Sequence, residues 1–338
     1  MTNPRVLLIS TGGTITMTRS TGEGAGIAPT LSGEDLLRAV PELARKAEIE
    51  VVSFSTKPGG SLTLEDLIQI AGLLNTRLTE EFAGAIVVQG TDTIEETAFV
   101  LDLLVTSMRP VVVTGAMRGP ASPGADGPAN LLAAVTVVCD AAAVGLGTLV
   151  VLSDEVHAAR HVQKTSTFLT SAFTSPGFAP LGWVVEGRFH LHASLARLPL
   201  LPCPESVGGS PVALVKIPLG DDGRLLSALG GLGYRGVVIE AMGAGHLPAP
   251  LSTIVSQLVN LMPVVLATRV ASGPVFTGTY GFPGSEMDLI GRGAIPGGNI
   301  SGHKSCLLLR LLLANKFEDQ QLRAAYALRS GGVGSVPC

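Results

Sequence analysis

At 338 residues the chain is longer than one hydrophobic core usually serves, so two domains are expected. Its residues are 46% apolar, only 4% aromatic and 15% charged, with 42 glycines, which favours buried strands under small-residue helices over an all-β sandwich. The 27 acidic residues slightly outnumber the 23 Lys and Arg and no basic run occurs, so the charge needed to hold a phosphate backbone is missing and nucleic acid is excluded as a partner.

The first predicted element is the apolar run Val6-Leu7-Leu8-Ile9-Ser10, of strand length and without the longer apolar region and cleavage site of a signal peptide. A cytoplasmic location is expected. Thr11-Gly12-Gly13-Thr14 follows, where paired glycines let backbone N–H groups approach a ligand and present the next hydroxyl. Taken alone the tetrapeptide reads as readily as a glycine turn. The third spaced glycine of a dinucleotide fingerprint is missing, which disfavours a nicotinamide-dependent oxidoreductase.

A second strand is expected over 85–89, leading into Gly90-Thr91-Asp92-Thr93-Ile94-Glu95-Glu96-Thr97. Thr93 and Glu96 have the spacing of a capping box. Thr91 and Asp92 precede that cap, so the cap does not explain them. A strand over 110–114 then leads to Gly115-Ala116-Met117-Arg118. The apolar stretch 131–152 carries Asp140, Gly145 and Gly147, which argues for a buried helix, a turn and a strand rather than a membrane span.

Residues 154–166 are dense in titratable groups, for which a solvated loop is the plain expectation. A lysine set beside a threonine can act as a base toward its hydroxyl, although spacing alone does not select Lys164. Residues 191–211 are rich in Pro, Gly and Ser and are expected to link a domain over 1–190 to one over 212–338. In the second domain strands are expected over 212–217, 236–240 and 264–267, and a Leu-rich helix over about 304–313. The resulting expectation is an α/β protein with a larger, mostly parallel-sheet N-terminal domain and a smaller C-terminal α/β domain. The scattered Cys139, Cys203, Cys306 and Cys338 form neither a CxxC pair nor a metal-site spacing with histidine, so reduced thiols and no metal are expected.

Taken in order, Thr11-Gly12-Gly13-Thr14-Ile15, the segment from Gly90 to Thr97, Gly115 to Arg118 and Ala125-Asp126-Gly127-Pro128-Ala129-Asn130 resemble the bacterial-type L-asparaginase family. The likeness runs the length of the chain. Residues 160–165 are similar to the segment bearing that family's catalytic lysine, and 280–289 fall where it has a subunit-contact acid. The resemblance implies a cofactor-free amidohydrolase that assembles as a dimer or tetramer with active sites between subunits.

It implies that Thr14 attacks the side-chain amide, that Thr91, Asp92 and Lys164 form a second polar cluster, and that Asp92 holds the α-amino group. Ala116 N–H and Thr91 become the oxyanion donors. L-Asparagine would yield L-aspartate and ammonia, with glutamine a poorer substrate.

Three departures from the family pattern stand out. Residues 17–29 contain no tyrosine, Gly26 standing at its expected place with Thr16 and Arg19 as nearby polar groups. Gln89 stands where many members carry histidine and cannot titrate near neutral pH. Gly59 replaces the family's serine, with Gly60 and Ser61 beside it, so backbone amides are expected to hold the substrate carboxylate. Glu286 is expected to face the amino group from a neighbouring subunit, against the alternative of a solvated acid. The competing expectation these departures raise is an amino-acid-binding sensor with a non-hydrolytic site. An amidotransferase subunit is disfavoured by the missing basic surface.

Overall fold

The computed structural model describes residues 3–12, the backbone of 17–19 and 27–29, and residues 40–329. The chain divides into two compact units, Met1–Cys203 and Pro204–Cys338.

In the first unit the strands are β1 (Arg5–Ser10), β2 (Met17–Arg19), β3 (Ile27–Pro29), β4 (Glu48–Ser53), β5 (Phe82–Val88), β6 (Val111–Thr114), β7 (Thr148–Leu152), β8 (Glu155–Ala158), β9 (Gln163–Lys164), β10 (Phe173–Thr174), β11 (Gly182–Val185) and β12 (Arg188–Leu191). Eight of them form one sheet in the order β12-β11-β8-β7-β6-β5-β1-β4. From β4 to β7 neighbours pair in parallel, and from β7 to β12 antiparallel.

The inner parallel strands β1, β5, β6 and β7 are apolar on both faces because helices cover both. Val6, Leu8, Ile86, Val88, Val112, Leu149 and Val151 pack with Leu131, Ala134, Val135 and Val138 in one core. Leu7, Ile9, Ala85 and Val87, alternating with them, are equally buried. The covering helices are α1 (Leu64–Arg77), α2 (Ile94–Leu104) and α3 (Gly127–Val138); α3 packs on β5, β6 and β7, and α2 on β6 and β7.

β1 lies between β4 and β5, so the strand order reverses there and a crevice opens beyond the carboxyl ends of β1 and β5. That places Thr11-Gly12 and Gly90–Thr93 at a topological switch point.

The second unit has a parallel sheet in the order β13 (Val212–Lys216), β14 (Gly236–Ala241), β15 (Val264–Thr268), β16 (Ile295–Pro296). Besides a five-residue helix at Arg224–Ala228, its helices are α4 (Leu251–Val259), α5 (Glu286–Gly291), α6 (Gly302–Ala314) and α7 (Asp319–Arg329). Leu226, Val237, Ile239, Val255, Leu258, Val264 and Leu266 belong to its core.

The stretch 131–152 is the end of α3, a turn and β7, and among the described residues no helix is long and apolar enough to cross a membrane. The described cysteines, Cys139, Cys203 and Cys306, are unpaired, and burial pushes the Cys139 thiol up to about 11.

Residues 154–166 correct the expectation of a solvated loop. They contain β8 and β9, and His157 is 1% exposed with Nδ1 3.0 Å from Ser175 Oγ. The titratable residues hid a strand whose other positions, Val156 and Ala158, face the core.

Candidate active site

Three loops meet at the switch point. Thr11 is fully buried, its N–H donating to Val88 O at 3.0 Å, while Ser55 Oγ donates to Thr11 O at 2.8 Å. Gly12 has φ +108°, and a Cβ there would lie 2.7 Å from Lys57 O, so only glycine admits this approach of two backbones. Thr14, Thr16 and Gly26, and the side chain of Arg19, lie outside the described residues.

The turn Gly59–Ser61 sits directly on the turn Thr91–Thr93: a Cβ on Gly59 would lie 2.8 Å from Gly90 O. Gly60 and Ser61 are exposed beside it. Immediately afterwards Thr63 and Asp66 form a reciprocal capping box at the start of α1. Asp66 also accepts Lys57 Nζ at 2.7 Å. Burial pushes the Asp66 carboxyl up, but Lys57 together with the Thr63 N–H and hydroxyl holds it below its ordinary range.

The capping box expected from Thr93 and Glu96 does not form. Thr93 Oγ1 instead donates to Gly59 O at 2.9 Å and accepts Gln89 Nε2 at 3.1 Å. A carbonyl on the neighbouring turn outcompetes the local cap.

Lys164, 73 residues from Thr91 and 72 from Asp92 in the chain, meets both here. Lys164 Nζ donates to Thr91 Oγ1 at 2.9 Å and lies 3.3 Å from Asp92 Oδ1. Thr91 is 6% exposed, whereas the Asp92 side chain is 68% exposed, so a buried hydroxyl and a half-buried cation back an acid open to a ligand. Lys164 is carried by β9, which β10 pairs in the register Phe173 with Lys164 and Thr174 with Gln163. The buried Glu95 anchors it from α2, accepting Lys164 N at 3.1 Å. Sequence reading missed Glu95, which the run Thr93-Ile94-Glu95-Glu96 disguised as helix-start acid.

Ala116 is buried in a loop that Asp126 clamps, accepting Met117 N at 2.9 Å and Arg118 N at 2.8 Å through its two oxygens. Asn130 completes the clamp. Its Nδ2 donates to Gly115 O at 3.0 Å and Asp126 Oδ2 at 3.1 Å, and its Oδ1 accepts Ser153 N at 2.9 Å. Pro128 lies in the first turn of α3, where its missing N–H costs no helix hydrogen bond.

In the second unit Glu286 is not a solvated acid: its side chain is 0% exposed. It accepts Thr279 N at 3.0 Å and Tyr280 N at 2.7 Å, and lies 3.1 Å from His246 Nε2. Burial pushes this carboxyl up, but the two amides and His246 hold it below its ordinary range. Both oxygens are engaged within the unit, Oε1 by the 279–280 backbone and Oε2 by His246.

Known proteins resemble this chain along nearly all of it. The family description "Asparaginase, N-terminal" matches residues 5–197 and "Glutaminase/Asparaginase C-terminal domain" matches 211–326. An L-asparaginase of Bacillus licheniformis is 32% identical, covering 96% of this chain and 100% of that protein. A protein named "Probable L-asparaginase" from Deinococcus radiodurans is 36% identical over 96% of this chain and 97% of its own. The crystal structure of a "Probable Cytoplasmic L-asparaginase" from Campylobacter jejuni superposes with a TM-score of 0.86 at 26% identity, covering 96% of this chain and 100% of that one.

Proposed function

The chain belongs to the asparaginase family of amidohydrolases, and on that premise we propose that it hydrolyses L-asparagine to L-aspartate and ammonia, with L-glutamine a poorer substrate. The observation that carries this reading is Lys164 Nζ, 2.9 Å from Thr91 Oγ1 and 3.3 Å from Asp92 Oδ1, at the mouth of the switch point.

The exposed Asp92 carboxylate suits an α-ammonium group. The Gly59–Ser61 turn offers the Gly60 N–H and the Ser61 hydroxyl to the α-carboxylate. Thr14 is the nucleophile of this reading. Its hydroxyl oxygen attacks the amide carbon, and the oxyanion is stabilised by Ala116 N–H and Thr91. The proton given up by the Thr14 hydroxyl ends on the amide nitrogen, the C–N bond breaks, and the nitrogen leaves as ammonia. Water then cleaves the β-aspartyl ester, with Thr91 and Lys164 moving its proton. Glu286, which orders the Thr279–Tyr280 backbone, is in this reading the acid that faces the amino group from a neighbouring subunit. The reading places the protein in the cytoplasm as a dimer or tetramer, which the name of the Campylobacter protein supports for location.

Ammonia release from L-asparagine and L-glutamine by wild type, Thr14→Ala and Lys164→Met tests this. The expected result is release by wild type and a fall of roughly a thousandfold or more in both variants. A wild type that binds L-aspartate yet releases no ammonia from either amide refutes hydrolysis and leaves an amino-acid sensor.

A further inference from the structure

If the turns Gly59–Ser61 and Thr91–Thr93 jointly face the substrate, whatever fixes one against the other sets how well it binds. Gln89, at the end of β5, is 0% exposed. Its Nε2 donates to Gly90 O at 3.2 Å and to Thr93 Oγ1 at 3.1 Å. Thr93 Oγ1 donates onward to Gly59 O at 2.9 Å. The ends of this relay fix its direction. Gly90 O and Gly59 O are carbonyls that can only accept, so the amide turns its NH2 group toward the first and the hydroxyl proton goes to the second. Thr93 Oγ1 is left to accept from Gln89.

The other half of the amide makes no such use of its place. Among the described residues the buried Gln89 Oε1 has no hydrogen-bond partner. An unmet buried acceptor is unfavourable, and an apolar side chain of similar volume would avoid it. What the amide supplies at this position is its pair of donors, one to each side of the junction between the turns.

We propose that Gln89 is a positioning residue for substrate binding: through the Thr93 hydroxyl it holds the Gly59–Ser61 turn against the Thr91–Thr93 turn, setting affinity for the α-carboxylate and leaving turnover alone. The relay rests on the hydrolase reading above. Because no member of it titrates, its hold on the turn is the same across the neutral range of pH.

The test is a double-mutant cycle of Gln89→Met and Thr93→Val, read as KM and kcat for L-asparagine and as calorimetric Kd for L-aspartate. Each single change is expected to raise KM and Kd roughly fivefold, the worth of one ordinary hydrogen bond, with kcat within about twofold. The double variant is expected to be no weaker than the weaker single, since both break one relay. Gln89→Glu, which can only accept when ionised, should draw the Thr93 proton from Gly59 O and weaken binding likewise. Thr93→Ser keeps the hydroxyl and should bind as wild type does, which separates the relay from general loosening.

Multiplying effects, about 25-fold in the double variant, overturn the relay, as does a Thr93→Ser as weak as Thr93→Val or a fall in kcat with KM unchanged. A wild type that neither releases ammonia nor binds L-aspartate overturns the hydrolase reading and the relay with it. An active wild type with a multiplying cycle overturns the relay alone.

Discussion

Replacing Asn130 by leucine conserves volume and removes three hydrogen bonds at once. Asn130 is 2% exposed; without it the buried Gly115 O loses the donor at 3.0 Å and Ser153 N loses the acceptor at 2.9 Å. Asp126 Oδ2 keeps Met117 N. Stranding a buried carbonyl costs about 1–3 kcal/mol and stranding the half-buried Ser153 N–H about 1 more, so the expected loss is roughly 2–4 kcal/mol. Ser153 adds to this because it sits at φ +51°, a left-handed conformation that a non-glycine residue holds only when its partners insist.

For a unit of this size that loss lowers the thermal midpoint by roughly 5–15 °C. Urea unfolding gives the free energy directly, and kcat for L-asparagine should fall as the loop bearing Ala116 relaxes. Asn130→Asp sharpens the test by setting a second carboxylate beside Asp126, 3.1 Å away in the native pair. Repulsion between the two carboxylates adds to that variant's deficit at neutral pH, and the deficit shrinks in acid as a proton relieves it. A loss under about 1 kcal/mol for Asn130→Leu would refute the clamp, because both stranded groups would then have found other partners.

Two further outcomes follow from the same loops. Asp66 is held below its ordinary 3.8, so its charged form stabilises the fold at neutral pH and that contribution disappears as pH falls from about 4 through the folded value. Asp66→Asn should therefore cost roughly 1–2 kcal/mol at pH 7, with the gap to wild type closing in acid; a gap constant from pH 7 to about 3 in urea titrations would count against it. Gly12→Ala must place a methyl 2.7 Å from Lys57 O at φ +108° and is expected to cost about 3 kcal/mol or more, seen as a lost thermal midpoint or insoluble chain. A soluble Gly12→Ala within about 1 kcal/mol of wild type would show the two backbones free to part.

The parallel half of the large sheet is legible in the sequence because strands covered on both faces are nearly continuous apolar runs, as in β1 and β7. The antiparallel extension and the separate β9–β10 pair are not. β8 reads as charged because Glu155 and His157 occupy alternate places, and β9 and β10 have two residues each, too few for any periodicity. The two capping boxes make the same point in opposite senses. Thr93 and Glu96 carry the pattern and do not form it, because Gly59 O, 34 residues away, claims the Thr93 hydroxyl. Thr63 and Asp66 form one that the sequence reading passed over. A local pattern predicts a local bond only where no distant partner competes.

The site shows why residue types are easier to read than roles. Thr91, Asp92 and Lys164 stand out as polar groups after apolar strands, but their meeting depends on a two-residue hairpin and on Glu95, which a local reading assigns to the helix. Glu286 shows the reverse: sequence alone leaves a solvated acid as an alternative, which two backbone amides pointing at the carboxylate remove. The clearest sequence marks of this site are two glycines. Gly12 and Gly59 lie where the backbone of one loop presses on that of another, at separations of 2.7 and 2.8 Å from the Cβ each lacks. Because the loops touch through backbone, their side chains are left to reach inward or to a ligand. A crevice built so should tolerate exchange of its polar side chains far better than the addition of a single methyl at either glycine, which ties two sterically closed positions to the place where the substrate is expected.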